Sequence, residues 1–176
     1  MIRRGAVAAG ACVLLHVSAA CAEDPPLTTV TFQPLSLITG YIDLEVERAF
    51  GRHVSLYLAP GGNFSTGRRL DGSTTGGLFA WSIDVGARWF PMRRAPSGLF
   101  VDLSGGYFTS WFDLAIRYRG DGARGMLLVG YTLVLWRHLT LSAGLGAQYR
   151  VVRSENSDAS EDRWAPAVRL AIGAAF

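Results

Sequence analysis

Apolar and polar residues alternate with a period of two along most of the chain. Between Phe79 and Trp89 every second residue is apolar, and the residues between them are small or charged. Because a β-strand points successive side chains to opposite faces, this pattern predicts a strand with one apolar and one polar face. The same division recurs in six further segments, at residues 42–47, 54–58, 99–111, 126–135, 139–151 and 164–176.

The connections between these segments indicate the number of strands. Those near residues 51–52, 92–97 and 137–138 are short to moderate, whereas those near 61–76, 112–123 and 153–163 are long and polar. Short turns and long loops alternate in this way between the two ends of a membrane β-barrel. An even strand count then requires one more strand, Thr28 to Ile38, which contains the unfavourable Pro34 and turns at Thr39 and Gly40. The predicted fold class is all-β, a closed antiparallel up-and-down transmembrane barrel of about eight strands.

The first two dozen residues have the organisation of a secretory signal peptide. Met1 to Arg4 is a basic head, Gly5 to Ala20 is an apolar run, and Ala20-Cys21-Ala22 resembles a cleavage site. The run is shorter than the roughly 18 apolar residues of a membrane-spanning helix. We expect a cleaved signal peptide over residues 1–22, a short periplasmic segment over 23–27 and the barrel domain over 28–176.

Cysteine usage agrees with export. Both cysteines, Cys12 and Cys21, lie within the predicted signal peptide, so the mature barrel must be stable without disulfides. Residues 18–21 also resemble a lipoprotein cleavage box, although Ser18 stands where leucine is usual, and lipidation of Cys21 is the alternative to its removal. Without Arg3 and Arg4 the formal charge falls from +3 to about +1, which gives no reason to expect a nucleic-acid partner.

Alternation alone does not separate a membrane barrel from a soluble one, and the placement of the bulky residues decides between them. The polar faces consist mainly of Gly, Ala and Ser with a few charges of both signs. These side chains are too small, and their charges too balanced, for a typical solvated surface. Aromatic residues lie near both ends of the strands, as they do at the two membrane–water interfaces. They are Trp89, Phe90, Trp136 and Phe176 at one end and Tyr41, Tyr107, Trp111, Tyr149 and Trp164 at the other.

The last strand ends at Phe176, with apolar residues two, four, six and eight positions earlier. This ending resembles the assembly signal that the barrel-assembly machinery reads, and the mature chain resembles the small OmpA/OmpX-like outer-membrane β-barrel proteins in architecture. Residues 33–41 (QPLSLITGY) and 44–48 (LEVER) are similar to the opening of a family of uncharacterised bacterial barrels, which often has Asn where Gln33 stands. The resemblance implies the outer membrane of a Gram-negative bacterium, with Phe176 at the periplasmic end.

The predicted inward face carries charges of both signs. The interior of an eight-stranded barrel is just wide enough for side chains, and an unpaired charge in it would be costly. We therefore expect the charges to pair into a network that plugs the lumen. A porin-like conduit for small or apolar solutes is the alternative. The predicted network consists of Asp43, Glu45, Glu47, Asp84, Arg88, Asp102, Arg150 and Arg169.

The sequence offers little for catalysis or metal binding. Some eight-stranded barrels modify lipid A, which requires a nucleophile, a histidine base and an orienting acid. His53 and His138 fall at predicted periplasmic turns, away from an outer-leaflet substrate, although Ser55 and Glu47 lie close enough to His53 to suggest a triad. No closed set of metal ligands and no nucleotide-binding glycine motif is present, so we expect no catalytic residue, cofactor or metal.

Five arginines in or beside the long loops are the best candidates for surface interactions. Lipopolysaccharide phosphates would lie at that end of the barrel, and arginine binds phosphate through paired hydrogen bonds. The candidates are Arg68, Arg69, Arg117, Arg119 and Arg124. The sequence thus predicts a monomeric, non-enzymatic outer-membrane barrel with a structural or surface-interaction role and with lipid and lipopolysaccharide as partners. A narrow channel is the second hypothesis, and a lipid A-modifying enzyme is the third.

Overall fold

A computed structural model of the protein describes residues 28–68, 74–113, 117–154 and 157–176. The predicted signal peptide, its cleavage site and Cys21 lie outside the described residues. The described chain consists almost entirely of β-strands. They are β1 (Thr28–Phe32), β2 (Tyr41–Phe50), β3 (Val54–Arg68), β4 (Thr74–Trp89), β5 (Gly98–Asp113), β6 (Arg117–Leu135), β7 (Leu139–Ser154) and β8 (Ser157–Ala175).

The strands close into one barrel in chain order. Each strand pairs antiparallel with the next, and β1 pairs with β8, so the predicted closed antiparallel eight-stranded barrel is confirmed. The closure consists of four residue pairs, from Thr29–Ala175 to Phe32–Ile172. Backbone hydrogen bonds in both directions between Thr28 and Phe176 complete it. We refer to this end of the barrel as the Phe176 end.

The lengths of the connections differ from the prediction. Most of the residues predicted to form long loops belong to strands, and only 69–73, 114–116 and 155–156 separate the strands at the opposite end. An antiparallel hairpin can continue its hydrogen-bond ladder through polar residues. The polar stretches near residues 61–76, 112–123 and 153–163 therefore form mainly the ends of long strands. At the Phe176 end, residues 90–97 form a longer connection than any of these three. The predicted alternation of short turns and long loops is therefore wrong and does not orient the barrel.

The strand predicted over Thr28–Ile38 is also wrong beyond Phe32. Pro34 begins a 3₁₀ helix, Pro34–Thr39, because proline is tolerated in the first turn of a helix. Gly40 ends it with a φ of 75°, a left-handed conformation that glycine adopts without strain, and its amide donates to the Leu37 carbonyl at 2.9 Å. No helix in the described part of the chain is long and apolar enough to cross a membrane.

The two faces of the barrel wall differ as the alternation predicts. On β4, Ile83 and Val85 are 40% and 58% exposed, whereas Asp84 between them is 7% exposed. A water-soluble barrel would bury the large apolar residues and expose the charged ones. The exposed outward residues include Leu44, Val46, Leu56, Leu58, Ile83, Val85, Leu103, Leu127, Val129, Leu145, Val168 and Leu170.

The wall is thinnest where β1 ends. β7 pairs with one edge of β8 along nearly its whole length, but β1 pairs with the other edge only from Ile172 to Ala175. The 3₁₀ helix packs against both β2 and β8, in the space that a longer β1 would fill. Among the described residues, the β8 edge before Ile172 therefore has no strand partner. We name the boundary between this edge and the 3₁₀ helix the lateral seam.

Gly86 makes room for a large side chain inside the barrel. A Cβ added to Gly86 would overlap the ring of Tyr57, which lies across the β3–β4 ladder from it. Gly125 also lies within a strand, but a Cβ added there would have nothing within 4 Å. The two glycines form a matched pair for testing the packing of the interior.

We expect Gly86→Ala to lower the free energy of unfolding by about 1–3 kcal/mol, the usual cost of overpacking. Gly125→Ala should change it by less than about 0.5 kcal/mol, because the added methyl group meets no atom. Urea unfolding of the detergent-folded barrel, followed by tryptophan fluorescence, measures both values. Equal losses for the two variants would contradict the close packing of Tyr57 on Gly86.

Candidate functional site

Arg88 is the centre of a buried ion cluster inside the barrel. Its Nη2 lies 2.8 Å from Oε2 of Glu45, its Nη1 lies 2.6 Å from Oε2 of Glu47, and its Nε lies 2.8 Å from Oδ2 of Asp102. The strand register brings these groups together, since Arg88 faces Asp102 across the β4–β5 ladder and both glutamates are on β2. None of the four side chains is more than 2% exposed.

Arg169 on β8 adds a second cation to the ion cluster. Its Nη1 and Nη2 donate to the two oxygens of Glu45 at 2.7 and 2.8 Å, which is a two-point pairing. Three carboxylates and two guanidiniums leave one formal negative charge in excess. Hydroxyl groups stabilise it by donating hydrogen bonds, from Thr29 and Ser55 to Glu47, from Thr31 to Glu45 and from Tyr57 to Asp102.

Aromatic rings pack against Arg88 at the centre of the ion cluster. The Cζ atom of Arg88 lies 4.3 Å from the ring centre of Tyr57 and 5.2 Å from that of Phe100, within cation–π range. On the side of the Phe176 end, Phe100 packs in a buried apolar cluster with Phe90, Ala95 and Ala49. Since Phe90 and Ala95 belong to residues 90–97, this connection folds across the Phe176 end and closes it.

A second ion pair lies nearer the opposite end. Arg124 on β6 donates to Asp84 on β4 through Nε, at 2.7 Å, and through Nη2. From the sequence, Arg124 was expected beside a long loop, as a candidate lipopolysaccharide contact. The structure places it inside the barrel, because β6 already begins at Arg117 and Arg124 occupies an inward position on it.

The predicted charge network is therefore divided into three parts. Glu45, Glu47, Arg88, Asp102 and Arg169 meet in the ion cluster, and Asp84 pairs with Arg124 instead. Asp43 and Arg150 line the cavity around this second pair, but within the described ranges neither of them forms an ion pair. The Cζ atom of Arg150 lies 5.9 Å from the ring centre of Phe108, and the side chain is exposed to solvent.

The lumen on the far side of the ion cluster is open space. Two cavities of about 480 and 250 Å³ share four of their lining residues, which are Ser36, Asp43, Arg124 and Arg150. The smaller cavity reaches Glu45 and Arg169 at the surface of the ion cluster. We refer to the two cavities together as the polar cup.

The remaining candidate residues lie apart from the lumen. Arg119 exposes 47% of its side chain, with Nε 3.3 Å from Oδ2 of Asp121 and Cζ 5.7 Å from the ring centre of Trp111. Phe176 is 71% exposed. The side chains of Arg68 and Arg117 and the whole of Arg69 lie outside the part of the chain that the structure describes.

The residues considered for a catalytic triad do not form one in the described structure. Nδ1 of His53 donates to the carbonyl oxygen of Phe90 at 2.9 Å, since a carbonyl can only accept. Ser55 donates to Glu47 within the ion cluster, so its hydroxyl is not directed at an imidazole. In the described ranges no three His, Cys, Asp or Glu side chains are grouped to hold a metal ion.

The predicted charge network did not include Tyr57 and Phe100, the two aromatic neighbours of Arg88. Both stand at inward positions of the period-two pattern, Tyr57 between Leu56 and Leu58. The prediction considered only charged inward residues, so it left out rings that contact the guanidinium. Arg124 was missed because a strand was not predicted to extend that far.

Comparison with protein-family models, with curated proteins and with solved structures found no match to this chain. The architecture and the internal contacts are therefore the basis for any functional conclusion.

We expect Arg88→Met to destabilise the barrel by about 3–5 kcal/mol, because it leaves three carboxylates buried with too few cations. Arg119→Met removes an arginine from an exposed ion pair and should cost only about 0–1 kcal/mol. Both variants are refolded in the same detergent, and their urea midpoints are compared with that of the wild type. A loss below about 1 kcal/mol for Arg88→Met would show that the ion cluster does not stabilise the fold.

Proposed function

We propose that this chain is an integral outer-membrane β-barrel with a structural or surface-interaction role, and that its lumen is plugged by side chains. The observation that carries the proposal is the inversion of the two faces. Large hydrophobic side chains are exposed around the outer wall, and charged side chains are buried inside. Water would penalise this arrangement, since soluble monomers rarely expose contiguous apolar patches beyond a few hundred Å². A hydrocarbon surrounding makes the same arrangement favourable.

The height of the exposed apolar band supports a membrane location. Trp89 is eight positions after Trp81 on β4, and Phe176, directly after β8, is twelve positions after Trp164. At about 3.3 Å per residue and a tilt of about 40°, these stretches span about 20 to 30 Å along the barrel axis. The apolar band of outer-membrane barrels is about 25 Å tall.

Aromatic contacts are present at the end opposite Phe176, as an interfacial girdle requires. The ring centres of Phe79 and Trp111 lie 5.2 Å apart, and those of Tyr149 and Trp164 lie 5.1 Å apart. The Tyr149 hydroxyl also donates to Asp162 at 3.0 Å, so one side of this pair is apolar and the other is polar. Such amphipathic rings favour the boundary between lipid and water.

The plugged lumen favours a structural role over a channel. The ion cluster is joined to β2, β4, β5 and β8 by direct ion pairs, and the apolar cluster of Phe90 and Phe100 lies beneath it. A conducting path would have to break several charge-assisted hydrogen bonds in a low-dielectric interior. For surface interactions, Arg119 is an exposed arginine with an aromatic neighbour, Trp111, at the girdle.

Cell fractionation with heat-modifiable gel mobility tests the membrane location. We expect the protein in the outer-membrane fraction, and we expect unheated samples to migrate differently from boiled ones, because a barrel resists unfolding in mild detergent. Recovery in the soluble periplasmic fraction, with no separate unheated band, would falsify the proposal.

Planar-bilayer recording tests the plugged lumen separately. We expect no stable conductance steps from the wild-type barrel, because the ion cluster and the residues beneath it fill the lumen. Stable steps whose size changes in a Glu45→Gln variant would contradict the plug and favour the narrow channel. Arg119→Met is the control, because Arg119 lies apart from the lumen. If it changed the step size as much as Glu45→Gln does, the steps would not come from the lumen and would not contradict the plug.

A further inference from the structure

The lateral seam is the weakest part of the barrel wall. The backbone polar groups on the β8 edge before Ile172 have no strand partner among the described residues, and Pro166 within this stretch has no amide to donate. Unpaired backbone groups at membrane depth are tolerated only where protein or water covers them. Here the 3₁₀ helix covers part of the β8 edge, and the polar cup lies on the inner side of the helix.

The polar cup reaches the lateral seam. The lining of its smaller cavity includes Val168, an outward residue of β8, and Leu35 of the 3₁₀ helix, together with the inward residues Arg150 and Arg169. Val168 and Leu35 are both exposed to solvent. The lining of the interior cavity therefore includes residues from both sides of the lateral seam, β8 and the 3₁₀ helix.

An apolar groove lies on the outer wall beside the same seam. It encloses about 530 Å³, which is within the usual range for small-molecule sites, and its lining is almost wholly apolar. The small side chain of Ala143 lies at the bottom of the groove, between larger neighbours. Pro34, at the start of the 3₁₀ helix, borders the groove on the side of the lateral seam. The larger outward neighbours are Tyr131, Leu133, Leu141, Leu170 and Ile172.

The polar cup contains groups that a ligand would satisfy. The buried Ser82 hydroxyl lines it and has no hydrogen-bond partner among the described residues. Arg150 and Asp43 also line it and carry opposite charges. Arg150 belongs to no ion pair in the described ranges, and Asp43 accepts a hydrogen bond from Ser36 but forms no ion pair there. A headgroup with both a phosphate and an amine matches these two groups of opposite sign, whereas a purely anionic headgroup would be repelled by Asp43.

We propose that the lateral seam forms a binding site for a single-chain zwitterionic phospholipid. Its headgroup occupies the polar cup, with the phosphate on Arg150 and the amine facing Asp43, and its acyl chain leaves through the seam into the outer groove. Seven residues of β7 separate Ala143 from Arg150, about 23 Å along the strand, so the ligand must be elongated and polar at one end. This inference rests on the proposed membrane location, which supplies both the lipid and the apolar surroundings of the groove.

Native mass spectrometry of the full barrel, released from nonionic alkyl maltoside micelles, tests the headgroup contacts. The probes are a lysophosphatidylethanolamine and a fatty acid of the same chain length. We expect one tightly bound lysophospholipid per barrel, and we expect Arg150→Met to weaken its binding at least about tenfold, the loss of one charge-assisted hydrogen bond. Asp43→Asn should weaken the lysophospholipid but strengthen the fatty acid, because it removes an attraction for the amine and a repulsion of the carboxylate.

A second pair of variants tests the path of the acyl chain. Ala143→Phe fills the outer groove and should weaken lysophospholipid binding, whereas Ala147→Phe changes an outward alanine of the same strand that does not line the groove. Unchanged binding in Arg150→Met or in Ala143→Phe would overturn the proposal, and so would equal losses in the two alanine variants. Parallel responses of both probes to Asp43→Asn would overturn the headgroup assignment.

The heat-modifiable band of each variant first establishes that its barrel is folded. A folded barrel from the outer membrane that binds no lysophospholipid would overturn this inference alone. A soluble periplasmic protein in the fractionation experiment would overturn the proposed function, whatever the binding result.

Discussion

The buried guanidinium of Arg88 organises the interior of this barrel. It pairs with carboxylates from β2 and β5, and Arg169 joins β8 to the same Glu45, so one ion cluster links strands on several sides of the lumen. Each charge in it would be costly alone and is tolerable only because its partners are held at hydrogen-bond distance. The closed wall holds the charged groups at these distances, and the ion pairs in turn connect β2, β4, β5 and β8 across the lumen. The fold and the ion cluster therefore depend on each other.

The small residues of the inner face follow from this cluster. Glycine at position 86 leaves space for Tyr57, whose ring covers Arg88 and whose hydroxyl donates to Asp102. Eight strands enclose too little room for bulky residues at every inward position. The bulk is therefore carried on the outer face, and the resulting exposed apolar band is the observation on which the proposed membrane location rests.

The barrel is asymmetric along its axis and around its circumference. Residues 90–97 and the apolar cluster close the Phe176 end, whereas the polar cup lies beyond the ion cluster. Around the ring, the early end of β1 leaves part of the β8 edge to the 3₁₀ helix. Proline at position 34 causes this by ending the strand and starting the helix. A local property of one residue thus places the weak boundary of the wall next to the polar cup.

The sequence by itself determined the strand pattern and the face to which most charges point, because the period of two is a local property of extended backbone. The period of two places Glu45, Glu47, Arg88, Asp102 and Arg169 on one face, and the structure buries all five side chains. The sequence did not determine which of them pair, since that depends on the register of strands distant in sequence. Tertiary structure alone decided that Arg124 joins Asp84, that residues 90–97 fold across the lumen and that the 3₁₀ helix replaces half of a strand, because ladder length and closure are collective properties of the whole sheet.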